Sequence, residues 1–577
     1  MKKHFRLQYS LSWWFLGFMA AMGDTMLHAH ACNPITFTRK KLPCERKRVS
    51  PCGQRTLFLP RSQGSNMARY LAGWKEYLPT CDGLAWGNWS LTTEYSHSRH
   101  GQRIAQYLFG STQLHFSGSQ VEDRNSEDLL ADYFGLSTMF EGSIAFKPRI
   151  DNIILDMNYY LGLDCWYPGL YFRFNFPVVV TRWDLGIHCN EKNNVVNQES
   201  PFFPSGYMSQ SPDEPALSIR EALSGDFVFG DMDQPLVFGK FPCGRLQKTA
   251  VPQFDFIVGY NWHADEASHA SVYLIAIAPA GNVPRSEFIF EPIVGSGRLW
   301  ELGPGISGHV DLMRCGLHIL SFSCNGYLSH QFKKFQRRSF DLIGHGPLSR
   351  YMLLKEFDSE GTYTGSLINA VDFTTRAVRV GGSAKLDAAL KLTYYYDRWG
   401  LDLGYNIYAR SKEKIRLQEH FHPSDLNNRR FGIKGTEGAY YRILDTDTDT
   451  IEGLEKLNSV QQQARINQGG PVSNPAAIEL ETGEIAITWD SPTVPPFKLA
   501  LESVPPLIIT AESLDLISGT VPHQLTHKFF VHLSYTAGNR PWEPQIGIGG
   551  ELEADGKDRL LGALNQWGVW VKVAVSF

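Results

Sequence analysis

The sequence predicts an all-β chain closed into a transmembrane antiparallel barrel of about 14–18 strands, an even count being usual for single-chain barrels. Three observations carry this. Segments in which apolar and polar residues alternate with period two recur along most of the 577 residues. The last of them, Trp567 to Phe577, has the roughly 9–11 residues a tilted strand needs to cross a bilayer, against about 5–6 in globular proteins. Beyond Met22 no uninterrupted apolar run of about 18 residues occurs, which excludes a helical membrane protein. In hydrocarbon every backbone N–H and C=O must be satisfied by protein, and a closed sheet does this with no open edge.

Composition agrees. The 55 basic and 59 acidic side chains nearly cancel, giving a formal charge of -4, so a nucleic-acid partner is not expected. Charged residues are 20% of the chain, while 52 glycines and 13% aromatics suit strands with aromatic girdles at the bilayer interfaces.

Taken in order, Lys2, Lys3 and Arg6 precede the apolar stretch Leu11 to Met22, and Ala29-His30-Ala31 offers a small-residue cleavage site. Residues 1–31 therefore read as a secretory signal peptide, with a mature start at Cys32. Nine cysteines in an exported chain can form disulfides. Their odd number leaves one over, and no C-x-x-C spacing is present. Cys44 with Cys52, or Cys315 with Cys324, could close local loops; isolated buried thiols are an equally good reading. Residues 32–84 form an N-terminal segment, basic up to Arg55, in which Ser65-Asn66 cap a short amphipathic helix from Met67 to Leu78. This segment is either a periplasmic tail or a plug inside the lumen.

The barrel then occupies 85–577. Leu155, Met157, Tyr159 and Leu161 share one face of a strand, and Leu170, Phe172, Phe174 and Phe176 continue it beyond the turn at Asp164 to Gly169. Phe254 to Trp262 pairs with Ala270 to Ala278, and Trp300 to Leu312 with Leu317 to Leu328. Leu386, Ala388, Leu390, Leu392, Tyr394 and Tyr396 lead through Asp397-Arg398-Trp399-Gly400 into Leu401, Leu403, Tyr405 and Ile407, a hairpin with one lipid-like face. Phe529 to Tyr535 and Ile546 to Leu552 follow, before the closing Trp567 to Phe577. Trp300, Trp399, Trp542 and Trp567 lie near strand ends, where interface anchoring is expected. Short turns alternate with long connections at about 99–141, 184–252, 280–299, 331–364 and 411–527, as in a barrel with tight periplasmic turns and long outer loops. The largest, 411–527, includes Ala476 to Trp489, a polar hairpin around Thr482-Gly483.

If the apolar faces meet lipid, the opposite faces line the lumen. The candidates are Asp156 and Asn158 on one strand, Arg173 and Asn175 on the next, Asp387 and Lys391, Asp402 and Asn406, Glu551 and Glu553, and Lys572. These charges either create a field across a water-filled pore or pair and fill it. His532 and Ser534 stand two apart on one strand, a spacing that resembles the His/Ser pair of the outer-membrane phospholipase. Their neighbours Val531, Leu533 and Tyr535 claim the lipid side, so both are expected to point inward, and Ser307 with His309 repeats the spacing. No catalytic residue, metal site or cofactor is therefore assigned, and no GxxxxGK[ST] or HExxH occurs.

The alternate residues Trp567, Val569, Val571, Val573 and Val575, ending on Phe577, resemble the C-terminal signature strand of bacterial outer-membrane proteins. That resemblance implies insertion into the outer membrane by the barrel-insertion machinery. The phrases Arg61-Ser62-Gln63-Gly64-Ser65-Asn66, Ala131-Asp132-Tyr133-Phe134-Gly135-Leu136, Phe290-Glu291-Pro292-Ile293-Val294-Gly295, His345-Gly346-Pro347 and Ser349-Arg350-Tyr351 resemble a family of large porin-like barrels in the Dependentiae (Babeliae). It implies fold and location, and no residue roles. The expected function is a porin-like channel for passive diffusion of small polar solutes, in contact with outer-membrane lipid and open to homo-oligomerisation. The alternatives are a structural or adhesive surface barrel, and a plugged transporter of hydrophobic solutes for which Phe202 and Phe203 speak.

Overall fold

The computed structural model describes residues 54–577, apart from 74–85, 194–202, 204–206, 210–214, 266, 419–425, 427, 437, 446–449, 471–484, 487–507, 539–541 and 557–561. The signal segment 1–31, Cys32, Cys44, Cys52, Cys81 and most of the hairpin at Thr482-Gly483 fall outside the described residues.

Twelve long strands form the barrel: β1 Gly87–Ser98, β2 Arg149–Gly162, β3 Leu170–Asp184, β4 Gln253–Ala264, β5 Ser268–Pro279, β6 Glu301–Cys315, β7 His318–Gln331, β8 Ala384–Tyr396, β9 Trp399–Arg410, β10 Gln524–Thr536, β11 Glu543–Asp555 and β12 Gln566–Ser576. Each pairs antiparallel with its neighbours in sequence, and β1 pairs with β12 to close the ring, Asn88 opposite Ser576 and Ser98 opposite Gln566. Closure reaches the last residue, where the Gly87 and Phe577 backbones exchange N–H···O bonds of 2.7 and 2.9 Å. At one point the ladder shifts. The first half of β3 pairs with β4 and the second half with the short strand Leu246–Ala250, with Pro177 and Pro252 at the break, where neither nitrogen has a hydrogen to donate.

The outer face carries the apolar half of the alternation. On β12, Val569, Val571 and Val573 are 40–49% exposed, and Ile546, Ile548, Leu403, Phe529, Val258 and Leu274 extend the same band around the ring. A surface this apolar is stable only against lipid, so the chain is an outer-membrane-type transmembrane barrel. Trp399 and Trp542 mark one rim, and Trp300 and Trp567 the other.

The ring has twelve strands rather than 14–18. The surplus alternating segments are real strands, but most have seven residues or fewer and pair outside the ring. They form small sheets such as Gln113–Ser117 with Glu141–Phe146 and Ile187–Asn193, Lys334–Arg338 with Arg376–Gly381 and Lys414–Leu417, and Leu353–Phe357 with Tyr363–Asn369 and Arg430–Ile433. All of these lie in the long connections, which leave from one end of the barrel. The other end carries the tight turns, together with the start of β1 and the end of β12, and is the periplasmic end by this asymmetry. The longest connection ends at His523, not at residue 527, and the one after Gln331 extends to Ser383 rather than stopping at 364, because Arg376–Gly381 belongs to a small sheet.

The long connections fold together into an ordered cap with its own core. Phe109 stacks on Phe146 at 4.0 Å, Trp183 meets Phe290 at 4.7 Å, and Leu353, Leu354, Leu367 and Ile433 are fully buried among them. Phe203 belongs to this core, which removes it as an apolar guide for solutes. The buried Lys355 ammonium is satisfied there, donating to the carbonyls of Gly438, Leu457 and Ser459 at 2.8–3.1 Å. Cys315 ends β6 opposite His318, whereas Cys324 lies opposite Gly308, so the two are held apart and no disulfide joins them.

Candidate functional site

The interior of the barrel is the candidate site. Residues 54–73 run through it from cap to periplasmic end. At the cap, Thr56 N donates to Ser518 O and its hydroxyl to Ser339 O, and Phe58 joins the cap core. At the other end, Gly73 N donates to Asp402 Oδ2 at 2.6 Å, three residues along β9 from Trp399 at the β8–β9 hairpin. Between them α1 Met67–Leu71 is capped by Asn66, whose side chain accepts from Arg69 N. The helix is shorter than Met67 to Leu78 because Ala72 is extended and Gly73 takes a positive φ of 62°. A wall lysine covers its C-terminal end, Lys572 Nζ donating to the carbonyls of Arg69, Tyr70 and Ala72 at 2.6–3.2 Å.

Two arginines tie the segment to the wall. Arg69 donates to Glu94 on β1 at 2.6 Å and to Asp156 on β2 at 2.7 Å. Arg61 makes a two-pronged contact with Asp387 on β8 at 2.8 and 3.0 Å, reaches Asn406 on β9 at 2.8 Å and Glu553 on β11 at 3.5 Å, and lies 4.7 Å over the Tyr408 ring. Asn66 adds a bond to Glu551 at 3.0 Å, and Ser62 one to Gln253 at 2.9 Å.

The sequence candidates fall on this interior face as period two requires. Asp156, Asn158, Arg173, Asp387, Lys391, Asp402, Asn406, Glu551, Glu553 and Lys572 are all buried, and Asn175 is half-buried, donating to Asp156 and Asn158. They are not one cluster: Asp156, Asp387, Asn406, Glu551, Glu553 and Lys572 bond the threaded segment along its length, and Asp402 bonds its end at Gly73 while facing Lys391 at 3.7 Å. Sequence reasoning passed over Glu94, Glu301, Lys385, Arg410 and Lys528, which share the inward parity, and Arg61 and Arg69, whose partners lie 25–492 residues away. Parity alone would have found the wall residues.

Seven buried acids line the wall, Glu94, Asp156, Glu301, Asp387, Asp402, Glu551 and Glu553, against six bases, Arg173, Lys385, Lys391, Arg410, Lys528 and Lys572. Asp255, bonded to Gln253 beside the cavity, adds to the acidic side. The wall is thus acidic in balance, and Arg61 and Arg69 offset the excess. Most of the charge lies on β1 and β8–β12, with Asp156, Arg173, Asp255 and Glu301 on β2, β3, β4 and β6. Across the lumen, β2–β7 present Tyr160, Tyr171, Ile257, Tyr273, Ile275 and Tyr327, which form one buried cluster with Met67, Tyr70 and Leu71 of the segment. Arg173 lies 3.9 Å over the Tyr70 ring. Between segment and wall a cavity of about 40 Å³ remains, lined by Asn66, Tyr70, Asp156, Arg173, Asp255 and Asp387 among others, with room for water and little else.

His532 and Ser534 point inward as expected. His532 Nδ1 accepts from Trp570 Nε1 at 3.2 Å, and Ser534 lies 3.4 Å from Gly400 O, so the two side chains are turned to different partners. At the other spacing Ser307 bonds Ser271 at 2.7 Å, while His309 Nδ1 meets His269 Nδ1 across the β5–β6 pair.

No family model matches the chain, and no curated protein matches it, so the resemblance to the Dependentiae barrels gains no support. The phrases that carry it are interior and cap residues: Arg61 to Asn66 in the lumen, and Tyr133, Phe290 and Tyr351 in the cap core. Among solved structures, the chain is similar to an outer membrane channel from Pseudomonas putida F1, with 9% identity over 88% of this chain and 98% of that one and a TM-score of 0.33. It is similar to a FadL homologue of Pseudomonas aeruginosa, at 8% identity over 85% and 90% with a TM-score of 0.24. The outer membrane protein OprD from Pseudomonas aeruginosa is matched at 7% identity over 85% and 94%, with a TM-score of 0.18.

Proposed function

We propose that the protein is an outer-membrane channel for small polar solutes, exported by its N-terminal signal, and shut in this conformation by residues 54–73. The observation that carries the reading is chemical. The segment is held to the wall largely by hydrogen bonds and ion pairs from Arg61, Asn66, Arg69 and Gly73, contacts that water and solute can replace, whereas an apolar core would resist hydration. With the segment displaced, the wall that remains on β1 and β8–β12 is charged and suits hydrated solutes.

A second reading has one observation in its favour: the tyrosine and isoleucine wall on β2–β7 is the surface a hydrophobic solute would follow. Conductance of the refolded protein in planar bilayers separates the two. A chain lacking residues 54–73 is expected to give stepwise ohmic currents and the intact chain few. If the deleted chain folds, by heat-modifiable migration, yet stays silent, the aqueous channel is lost and the hydrophobic or structural readings take its place.

A further inference from the structure

Arg61 and Arg69 occupy two sites that the wall has built for a guanidinium group. Each site draws carboxylates from two strands that are distant in sequence, Glu94 and Asp156 for one, Asp387 and Glu553 for the other, and all four are buried. Arg69 sends Nε to Asp156 and Nη1 to Glu94, and Arg61 sends Nη1 to Asn406 and Glu553 and Nη2 to Asp387, so each site is met by a planar spread of donors that a guanidinium supplies and a compact ammonium does not. An aromatic face of the wall is on hand as well: Arg61 lies over Tyr408, and a delocalised cation gains from such stacking. When the segment leaves, Glu94, Asp156 and Asp387 lose their arginine partners and Glu553 keeps Lys528 alone, while the wall keeps its acidic balance.

From this arrangement we infer that the solutes of this channel are small organic cations carrying a guanidinium or amine, which bind the carboxylate pairs that Arg61 and Arg69 hold in the closed state. The inference rests on the channel reading above. The two arginines act as built-in competitors of the solute: a basic solute entering the lumen takes over their partners and loosens the segment. Two of the buried lysines stay committed to wall carboxylates when the segment leaves, Lys528 to Glu551 and Glu553 and Lys385 to Glu301, and so offer an anionic solute no site.

The test uses the full chain and its R61Q/R69Q variant in planar bilayers under a salt gradient, with argininamide and glutamate as probes. The variant is expected to open more often than the parent, with a reversal potential shifted to the cation side. Argininamide is expected to reduce its current at concentrations where glutamate does not. Adding Glu94→Gln, Asp156→Asn, Asp387→Asn and Glu553→Gln together is expected to abolish most of that block, and either pair alone about half of it. Should R61Q/R69Q fail to fold, the chain without residues 54–73 takes its place in the same measurements. A reversal potential at zero or on the anion side, equal block by both probes, or block that survives loss of the carboxylates overturns the inference and leaves the channel standing. Silence of a folded chain without residues 54–73 overturns both.

Discussion

Arg69 is 1% exposed and its partners Glu94 and Asp156 are 2% exposed, so its value lies less in net stability than in what its loss would leave behind. A buried ion pair gains little over an apolar pair of the same size, but removing one partner strands the other, typically at a cost of about 3–5 kcal/mol. The arginines therefore specify where the segment sits. A different buried charge governs the cap. Burial pushes the Asp372 carboxyl up to about 7, only partly opposed by the backbone N–H of Phe238. Because the folded form holds this proton more tightly than the unfolded chain, the stabilisation is complete below the ordinary carboxylate range and is lost as pH rises through about 7. Limited proteolysis is expected to find the cap less resistant at about pH 8 than at about pH 5, with Asp372→Asn removing most of the difference. Equal resistance at both values in the parent protein would refute this.

At the scale of the element, what could be read from sequence was the side on which each residue falls. A strand with lipid on one flank and water or protein on the other must alternate, and Leu386 to Tyr396 shows it plainly, Lys385, Asp387 and Lys391 being buried opposite Leu392 and Tyr394. Strand β1 escaped notice because its outer face mixes Trp89, Leu91 and Tyr95 with Thr93, a weak apolar signal, while Glu94 and three serines face inward. The same logic gives a measurable asymmetry. Val571, midway along β12, faces outward between Thr93 and Ile548. Val571→Arg is expected to destabilise the folded barrel in lipid by about 2–4 kcal/mol, as arginine does near a bilayer midplane. Unfolding in urea with lipid vesicles reads this directly, and a change of a few tenths would contradict the placement.

For the molecule as a whole, the ring was legible and the cap was not. Ring strands carry their own period, but the cap core gathers Phe58 from the threaded segment, Trp183 from the end of β3, and Phe109, Phe290, Leu354 and Ile433 from four separate connections, and no local pattern announces such an assembly. The arginine sites were hidden for the same reason, since Arg61 and Glu553 meet only after the chain has closed on itself. Closure depends on β12, which pairs with both β1 and β11. A chain ending at Asp555 would leave two long edges open and is expected to lose heat-modifiable migration altogether; retention of it would mean that eleven strands can seal. The pairing of β1 with β12 also has a topological consequence: residues 54–73 are clasped by the cap at one end and by Asp402 at the other, so the seam that makes the cylinder also encloses its own occupant, and no strand edge is left through which that occupant could slip sideways.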